Sequence, residues 1–244
     1  MAGHSKWHNI KYRKGRQDAK KAQLFTKISK EIYAAVRMGG ANPETNARLR
    51  AAIQKARDIR MPLDNIERTI KKATGEFGGA AYEAAIYEGY GPGGVAILVE
   101  ALTDNRNRTA ARIRHLFAKH GGSLGESGCV AYLFAEKGEI VLDRAGADEE
   151  AILATALQAG AEDVDIGEEE AVVFAAPEAI DAVRAAFAAA GFSVRSAKVT
   201  RVPSVTVPVA GEVAEANLAL LEALEDEDDV SEVYANLEVE AEGA

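Results

Sequence analysis

The spacing of apolar residues changes near residue 80, and this change limits the folds open to the chain. Before residue 75, apolar residues recur every three or four positions, which is typical of amphipathic helices. After residue 82, short runs rich in Val, Ile and Tyr alternate with helical segments and glycine turns. The sequence therefore predicts a helical domain followed by modules that combine sheets and helices.

Three helices are predicted in the first part of the chain. The first covers residues 17–38, the second begins at Asn42 and Pro43, and the third begins near Pro62. The apolar face expected for the first helix comprises Leu24, Phe25, Ile28, Ile32, Ala35 and Val36. Three amphipathic helices with short links form a small bundle.

The remaining pattern predicts two modules of β-α-β-β-α-β order. One is continuous and covers residues 136–203. The other combines a strand, a helix and a strand over 95–134, ending in "CVAYLF", with a strand at 204–209 and the helix and strand that follow. The predicted fold class is therefore α+β, with an N-terminal three-helix domain followed by two ferredoxin-like domains, one inserted in the other.

The predicted domain boundaries follow from this pattern. We expect a basic helical domain with a flexible N-terminal arm at 1–78, and an inserted α/β domain at 136–203. A discontinuous α/β domain then comprises residues 79–135 plus 204–240.

No motif in the sequence is typical of catalysis. The run Gly89 to Gly94 fits G-x-G-x-x-G, but a strand follows it, so a hairpin turn explains it better than a dinucleotide site. The four histidines lack metal-ligand spacing, and Cys129 is the single cysteine. No apolar run approaches the roughly 20 residues of a membrane span. We therefore expect a cytoplasmic protein that is not an enzyme, with no metal, cofactor, small-molecule substrate or membrane partner.

Charge is divided unevenly along the chain. Residues 1–75 carry 18 Lys or Arg and 6 Asp or Glu, a formal charge of +12. Residues 76–244 carry 11 and 32, a charge of −21, so that the whole chain has −9. Such asymmetry favours an end that binds polyanions, attached to an acidic body.

The candidate nucleic-acid contacts are the cations and aromatic residues of the opening segment and of the first helix. Cations neutralise phosphates, and aromatic rings stack on bases. These candidates are Lys6, Trp7, Lys11, Tyr12, Arg13, Lys14, Arg16, Lys20, Lys21 and Lys27. A solvated helix with a disordered tail is the alternative, but the concentrated charge favours polyanion binding.

A second basic row follows on the helix predicted at 106–120. Arg108, Arg112, His115 and Lys119 have the spacing of one helix face, with Arg106 close by. Binding of a polyanion and simple solubilisation of the helix explain this row equally well.

Four motifs resemble those of YebC-type proteins. They are "MAGHSKWHNIKYRKGRQDAKKAQLFTK", "MPLDNIERTIKKATG", "YEGYGPGGVAILVEALTDNRNRT" and "HGGSLGESGCVAYLF". The family is also called the PmpR group of probable transcriptional regulators, and it includes the mitochondrial translational activator of cytochrome c oxidase. One departure is Cys129, where the family usually has Ser.

The resemblance implies an N-terminal helical domain, two α/β domains and a cytoplasmic, non-enzymatic regulator of gene expression. It also implies nucleic-acid contacts in the opening segment, especially at Lys6, Trp7, Lys11, Arg13, Lys14 and Arg16. The motif "TDNRNRT" would contribute Arg106 and Arg108 in a supporting role.

Two targets stay open at this point. The family's usual label implies a DNA-binding transcriptional regulator, yet the sequence has no convincing helix-turn-helix with base-reading side chains. The alternative is a translation factor that binds the ribosome or its RNA and relieves stalling at consecutive prolines. A basic, aromatic segment that folds on binding suits irregular RNA. An enzyme is the third and weakest hypothesis.

Overall fold

The computed structural model describes residues 17–75, 82–144 and 146–240, which form two compact units. Within these residues, the bundle–sheet unit comprises 17–131 and Gly211–Ala235. The insert unit comprises Tyr132–Ala210 and 236–240. None of the described helices is both long and apolar enough to span a bilayer.

Helices and strands are numbered in chain order. The helices are α1 (Gln17–Gly39), α2 (Ala47–Asp58), α3 (Leu63–Thr74), α4 (Arg106–Lys119), α5 (Glu149–Ala159), α6 (Ile180–Ala189) and α7 (Gly211–Glu225). The strands are β1 (Glu83–Tyr90), β2 (Ala96–Thr103), β3 (Ser123–Leu124), β4 (Phe134–Asp143), β5 (Asp163–Ile166), β6 (Glu170–Ala175), β7 (Val194–Pro203), β8 (Val207–Val209), β9 (Val230–Ala235) and β10 (Leu237–Val239). The predicted α+β class, with N-terminal helices followed by sheets that carry helices, is confirmed.

Helices α1, α2 and α3 pack around one apolar cluster. Ile32, Leu49 and Ala56 are fully buried in it. Leu24 was expected in this core but is 44% exposed, because the cluster begins only at Phe25 and Ile28. Apolar spacing therefore located the bundle correctly and overestimated the length of its buried face.

The predicted start of the second helix at Asn42 and Pro43 is wrong. Residues 43–45 form a turn, and α2 begins after the capping residue Asn46. The side chain of Asn46 accepts a hydrogen bond from the backbone N–H of Leu49 at 3.0 Å. Its amide also donates to the carbonyl oxygens of Ala35 and Gly40. The cap is thus chosen by contacts with the end of α1.

The sheet of the bundle–sheet unit has the strand order β3-β1-β2-β9, and all neighbours are antiparallel. A hairpin joins β1 to β2 at Gly91–Gly94, where Gly93 and Gly94 have φ of 73° and 80°. The turn that the sequence predicted in place of a nucleotide loop is therefore confirmed.

The strand predicted at 204–209 does not belong to this sheet. β1 lies beside β2 because a tight hairpin holds the two together. The segment instead supplies β8, which pairs in parallel with β10 in a separate two-stranded sheet. The predicted "CVAYLF" strand is also wrong, since Ala131–Leu133 is a 3-10 turn and β4 begins at Phe134.

The insert unit has the expected ferredoxin-like order. Its main sheet runs β5-β6-β4-β7 with antiparallel neighbours, and α5 and α6 cover one face. Ile140, Leu142 and Phe187 are fully buried between the sheet and these helices. The division into three domains remains a prediction.

Candidate nucleic-acid interface

Most of the predicted contacts of the opening segment lie outside the described residues. These are Lys6, Trp7, Lys11, Tyr12, Arg13, Lys14 and Arg16. Of Lys20 and Lys21 only the backbone is described, and it lies within α1. The cations whose surroundings bear on the interface are therefore those of the three bundle helices and of α4.

One face of α1 contacts an acidic turn at the end of α7. The acidic turn is the run of five residues Glu225, Asp226, Glu227, Asp228 and Asp229. Lys27 donates to the carbonyl oxygen of Glu225, and Lys30 donates to that of Asp228 at 2.9 Å. Gln23, on the same face, donates to the carbonyl oxygen of Asp226. Burial of Lys27 lowers the pKa of its ammonium group and outweighs the acidic residues nearby, which raise it.

Asp229 links the bundle to α4. Its carboxylate is 4% exposed and accepts hydrogen bonds from Lys30 at 2.9 Å, from Arg108 at 2.8 Å and from Thr109 at 2.8 Å. Burial by itself would raise the pKa of Asp229, but these three donors outweigh it and hold the value at about 2. Asp229 is therefore ionised at neutral pH and fully partnered.

Two of the four side chains in the row that sequence spacing predicted on α4, Arg108 and Arg112, form ion pairs. Arg108 also pairs with Asp104 at 2.7 Å, and Arg112 pairs with Glu227 at 3.5 Å. Arg106 lies 3.8 Å from Glu83, with both side chains more than half exposed. Such exposed pairs are weak and are screened by salt, so they leave Arg106 open to other anions.

The other end of this row is exposed. Arg114, His115 and Lys119 face solvent on α4, and none of them forms an ion pair with a described residue. In the described part of the chain, no group of three or more His, Cys, Asp or Glu side chains is placed to hold a metal ion.

The largest set of unpaired cations lies on the bundle. Eight exposed side chains form no ion pair with another described residue: Arg37, Arg48, Arg50, Arg57, Arg60, Arg68, Lys71 and Lys72. We call this set the bundle surface. Lys71 and Lys72 follow Arg68 by three and four residues, so both lie next to it on the surface of α3.

Sequence reasoning did not nominate most of these residues. The excess of positive charge over residues 1–75 indicates that the bundle is basic. The densest run of cations lies in the opening segment, so the sequence favoured that segment over the bundle helices as the contact. Which cations are neutralised depends on partners about 200 residues away in the chain, as in the pair Lys30 and Asp229. Helical spacing alone carries no such information.

Together, the fold and the charges define a class of α+β proteins in which a basic helical bundle precedes sheet modules that carry most of the acidic residues. A family model described as "TACO1/YebC protein N-terminal domain" matches residues 5–76, and one described as "TACO1/YebC second and third domain" matches residues 82–237. The chain therefore belongs to the TACO1/YebC family, which confirms the resemblance read from its motifs.

Relatives match nearly the whole length of the chain. A "Probable transcriptional regulatory protein" of Dictyoglomus turgidum is 54% identical and covers 98% of this chain and 96% of its own. A protein of the same name from Pelotomaculum thermopropionicum is 50% identical and covers 98% and 100%. The crystal structure of a conserved hypothetical protein of Aquifex aeolicus matches with a TM-score of 0.83 at 48% identity, over 92% of this chain and 93% of that one.

Proposed function

We propose that this protein is a non-enzymatic regulator of gene expression that binds nucleic acid through the bundle surface and the basic opening segment. The observation that carries the proposal is the exposure on the bundle of eight cations that form no ion pair with another described residue, in a chain whose formal charge is −9. Exposed cations that no carboxylate neutralises can bind phosphates and release counterions. The name of the curated relatives, probable transcriptional regulatory protein, supports this role.

The first candidate target is DNA, as in a transcriptional regulator. Helices α2 and α3 are joined by four residues, which is a spacing compatible with a helix-turn-helix. However, the exposed side chains at the start of α3 include Asp64 and Glu67. A recognition helix reads bases with its N-terminal residues, and carboxylates at that position would be repelled by phosphates.

This feature favours the second candidate, which is RNA in the ribosome. The cations of α3 lie in its second half, where they can bind phosphates without reading bases. Contacts of this kind suit folded RNA, which proteins recognise largely by shape and backbone. In this role the protein would act as a translation factor, including at consecutive prolines as the family resemblance implies.

The test compares cations of the bundle surface with cations of the insert unit that form ion pairs. The double variant Arg57→Gln, Lys71→Gln should weaken binding to both duplex DNA and ribosomal RNA. It should also reduce the slope of log K against log salt by about 0.7–0.9 for each phosphate that the variant no longer neutralises. The control is Lys137→Gln, Arg184→Gln in the insert unit, which should leave both quantities unchanged.

Measurements of promoter-DNA binding and of ribosome co-sedimentation at physiological salt distinguish the DNA target from the ribosomal RNA target. Sequence-selective DNA binding without ribosome association would support the transcriptional role, and the reverse result would support the translational role. The proposal is wrong if the wild-type protein binds neither, or if the control variant weakens binding as much as the bundle variant does.

A further inference from the structure

We propose that the acidic turn is an internal competitor for the polyanion that binds α1, so that nucleic-acid binding displaces the turn. This inference rests on the proposed function and deepens it, because it assigns an autoinhibitory contact to the same basic face. The turn and α1 belong to the same compact unit, the bundle–sheet unit.

The contact covers one continuous face of α1. Gln23, Lys27 and Lys30 are spaced four and three residues apart, and all three donate to oxygens of the acidic turn. Lys30 also lies 5.9 Å from the centre of the Tyr82 ring. Lys27, which the sequence analysis nominated for phosphate binding, is therefore bonded to the protein itself.

The chemistry of the turn resembles that of a phosphate chain. It offers the lysines a row of backbone carbonyl oxygens and the ionised carboxylate of Asp229. Lys27 donates to the carbonyl oxygen of Glu225, the last residue of α7, where the helix dipole is negative and favours a cation. A nucleic acid that approaches this face must exchange these oxygens for its own phosphates.

Arg108 and Arg112 on α4 could also exchange oxygens of the acidic turn for phosphates. Each pairs with a carboxylate of the acidic turn, Arg108 with Asp229 and Arg112 with Glu227. Displacement of the turn would therefore release cations on both α1 and α4 at once. Only molecules in which the turn is displaced can bind a polyanion at these cations. The measured affinity is therefore reduced in proportion to the fraction of molecules in that open state.

The first test uses the wild-type protein and hydrogen exchange. The backbone N–H of Asp226 donates to Glu222, that of Glu227 to Leu224, and that of Val230 to Glu227. Saturating heparin, and in parallel a short uridine oligonucleotide, should speed exchange of these amides. Exchange at Ile140 in the core of the insert unit serves as the reference and should not change.

The second test is a double-mutant cycle on heparin and oligonucleotide affinity. Asp229→Asn weakens the contact of the turn with Lys30 and Arg108, so we expect heparin and the oligonucleotide to bind about fivefold more tightly or better. Lys30→Met should change the wild-type affinity by no more than about twofold, because two opposite effects nearly cancel. The substitution removes a cation that binds phosphate, and it also weakens the contact between α1 and the competing turn. In the Asp229→Asn background, the same substitution should cost about fivefold.

Lys71→Met is the matched control, because Lys71 is exposed on the bundle surface and forms neither a hydrogen bond nor an ion pair with the turn. It should weaken binding equally in both backgrounds. A folded Asp229→Asn variant, checked by circular dichroism, with unchanged or weaker affinity would overturn the inference. So would unchanged or slower exchange in the turn while the wild-type protein is saturated with heparin.

The two proposals fail in different ways. If the wild-type protein and every variant leave both polyanions unbound, the proposed function itself is wrong. If the wild-type protein binds and Lys71→Met weakens it, but Lys30→Met has the same effect in both backgrounds, only the internal competition is wrong. In that case the acidic turn is a structural contact between α1 and α7.

Discussion

At the scale of single residues, buried carboxylates decide local structure through their partners. Glu88 is 4% exposed, and its two oxygens accept the backbone N–H groups of Gly128 at 2.6 Å, Val130 at 2.8 Å and Ala131 at 2.7 Å. Burial would raise the pKa of Glu88, but these three donors outweigh it, and the pKa is lowered below its ordinary value of 4.5. The charge of Glu88 therefore stabilises the turn conformation of the segment at Val130 and Ala131, which the sequence predicted to be a strand.

Glu88→Gln should lower the free energy of unfolding by about 2 kcal/mol at neutral pH, because hydrogen bonds to a charged group are among the stronger ones. Because the folded pKa is lowered, this stability is present above pH 4.5 and is lost as the pH falls through the folded value. Urea unfolding at several pH values should show the gap between variant and wild type closing in acid.

The control for this prediction is Glu83→Gln, since Glu83 is exposed on the same strand. It should change the free energy of unfolding by no more than about 0.5 kcal/mol. An equal effect of the two substitutions, or a gap at Glu88 that persists at low pH, would contradict the role assigned to the buried charge.

At the scale of elements, the start of α2 is set by a neighbouring helix. Asn42 precedes a proline and has the local sequence of a cap, yet Asn46 is the residue that caps α2. Its amide reaches Ala35 and Gly40, each at 2.8 Å, at the end of α1. The cap thus joins two helices, and tertiary contacts override the local signal.

Asn46→Ala should destabilise the protein by about 2 kcal/mol, of which about half comes from removal of the cap and the rest from the unpaired buried carbonyls. Asn46→Asp should recover only part of this stability, because it restores the cap and cannot donate to the two carbonyls. Asn42→Ala is the control and should cost no more than about 0.5 kcal/mol. Chemical denaturation of the three variants checks this ranking, and equal costs at 42 and 46 would refute it.

At the scale of the whole molecule, the net charge of −9 conceals a basic bundle surface and an acidic remainder. Average charge governs solubility, whereas local charge governs which polymers bind. Acidic partners compensate for Arg108 and Arg112 of α4 and for the α1 lysines that face the acidic turn, whereas the eight residues of the bundle surface form no ion pair with another described residue. The protein should thus behave as a cation toward a polyanion despite a pI of about 5.1.

We therefore expect the full chain to be retained on immobilised heparin at neutral pH and low salt. Replacing Arg57, Arg68, Lys71 and Lys72 by Gln should shift its elution to clearly lower salt, because fewer cations remain to bind the sulfate groups of heparin. The comparison is the salt concentration at the elution peak, with Lys137→Gln, Arg184→Gln as the control. Passage of the wild-type protein through the heparin matrix would contradict this expectation.

The sequence by itself determined the helical bundle, the ferredoxin-like order of the insert and the glycine hairpin, because apolar spacing and glycine act over a few neighbouring residues. It also determined the family, whose motifs are contiguous. Only the tertiary structure decided that the strand from 204–209 pairs with β10 outside the main sheet, and that Asn46 caps α2. Only the tertiary structure decided that Lys30 and Arg108 share Asp229. Each of these outcomes depends on contacts between groups that are distant in the chain, and such contacts produce no periodic pattern in the sequence.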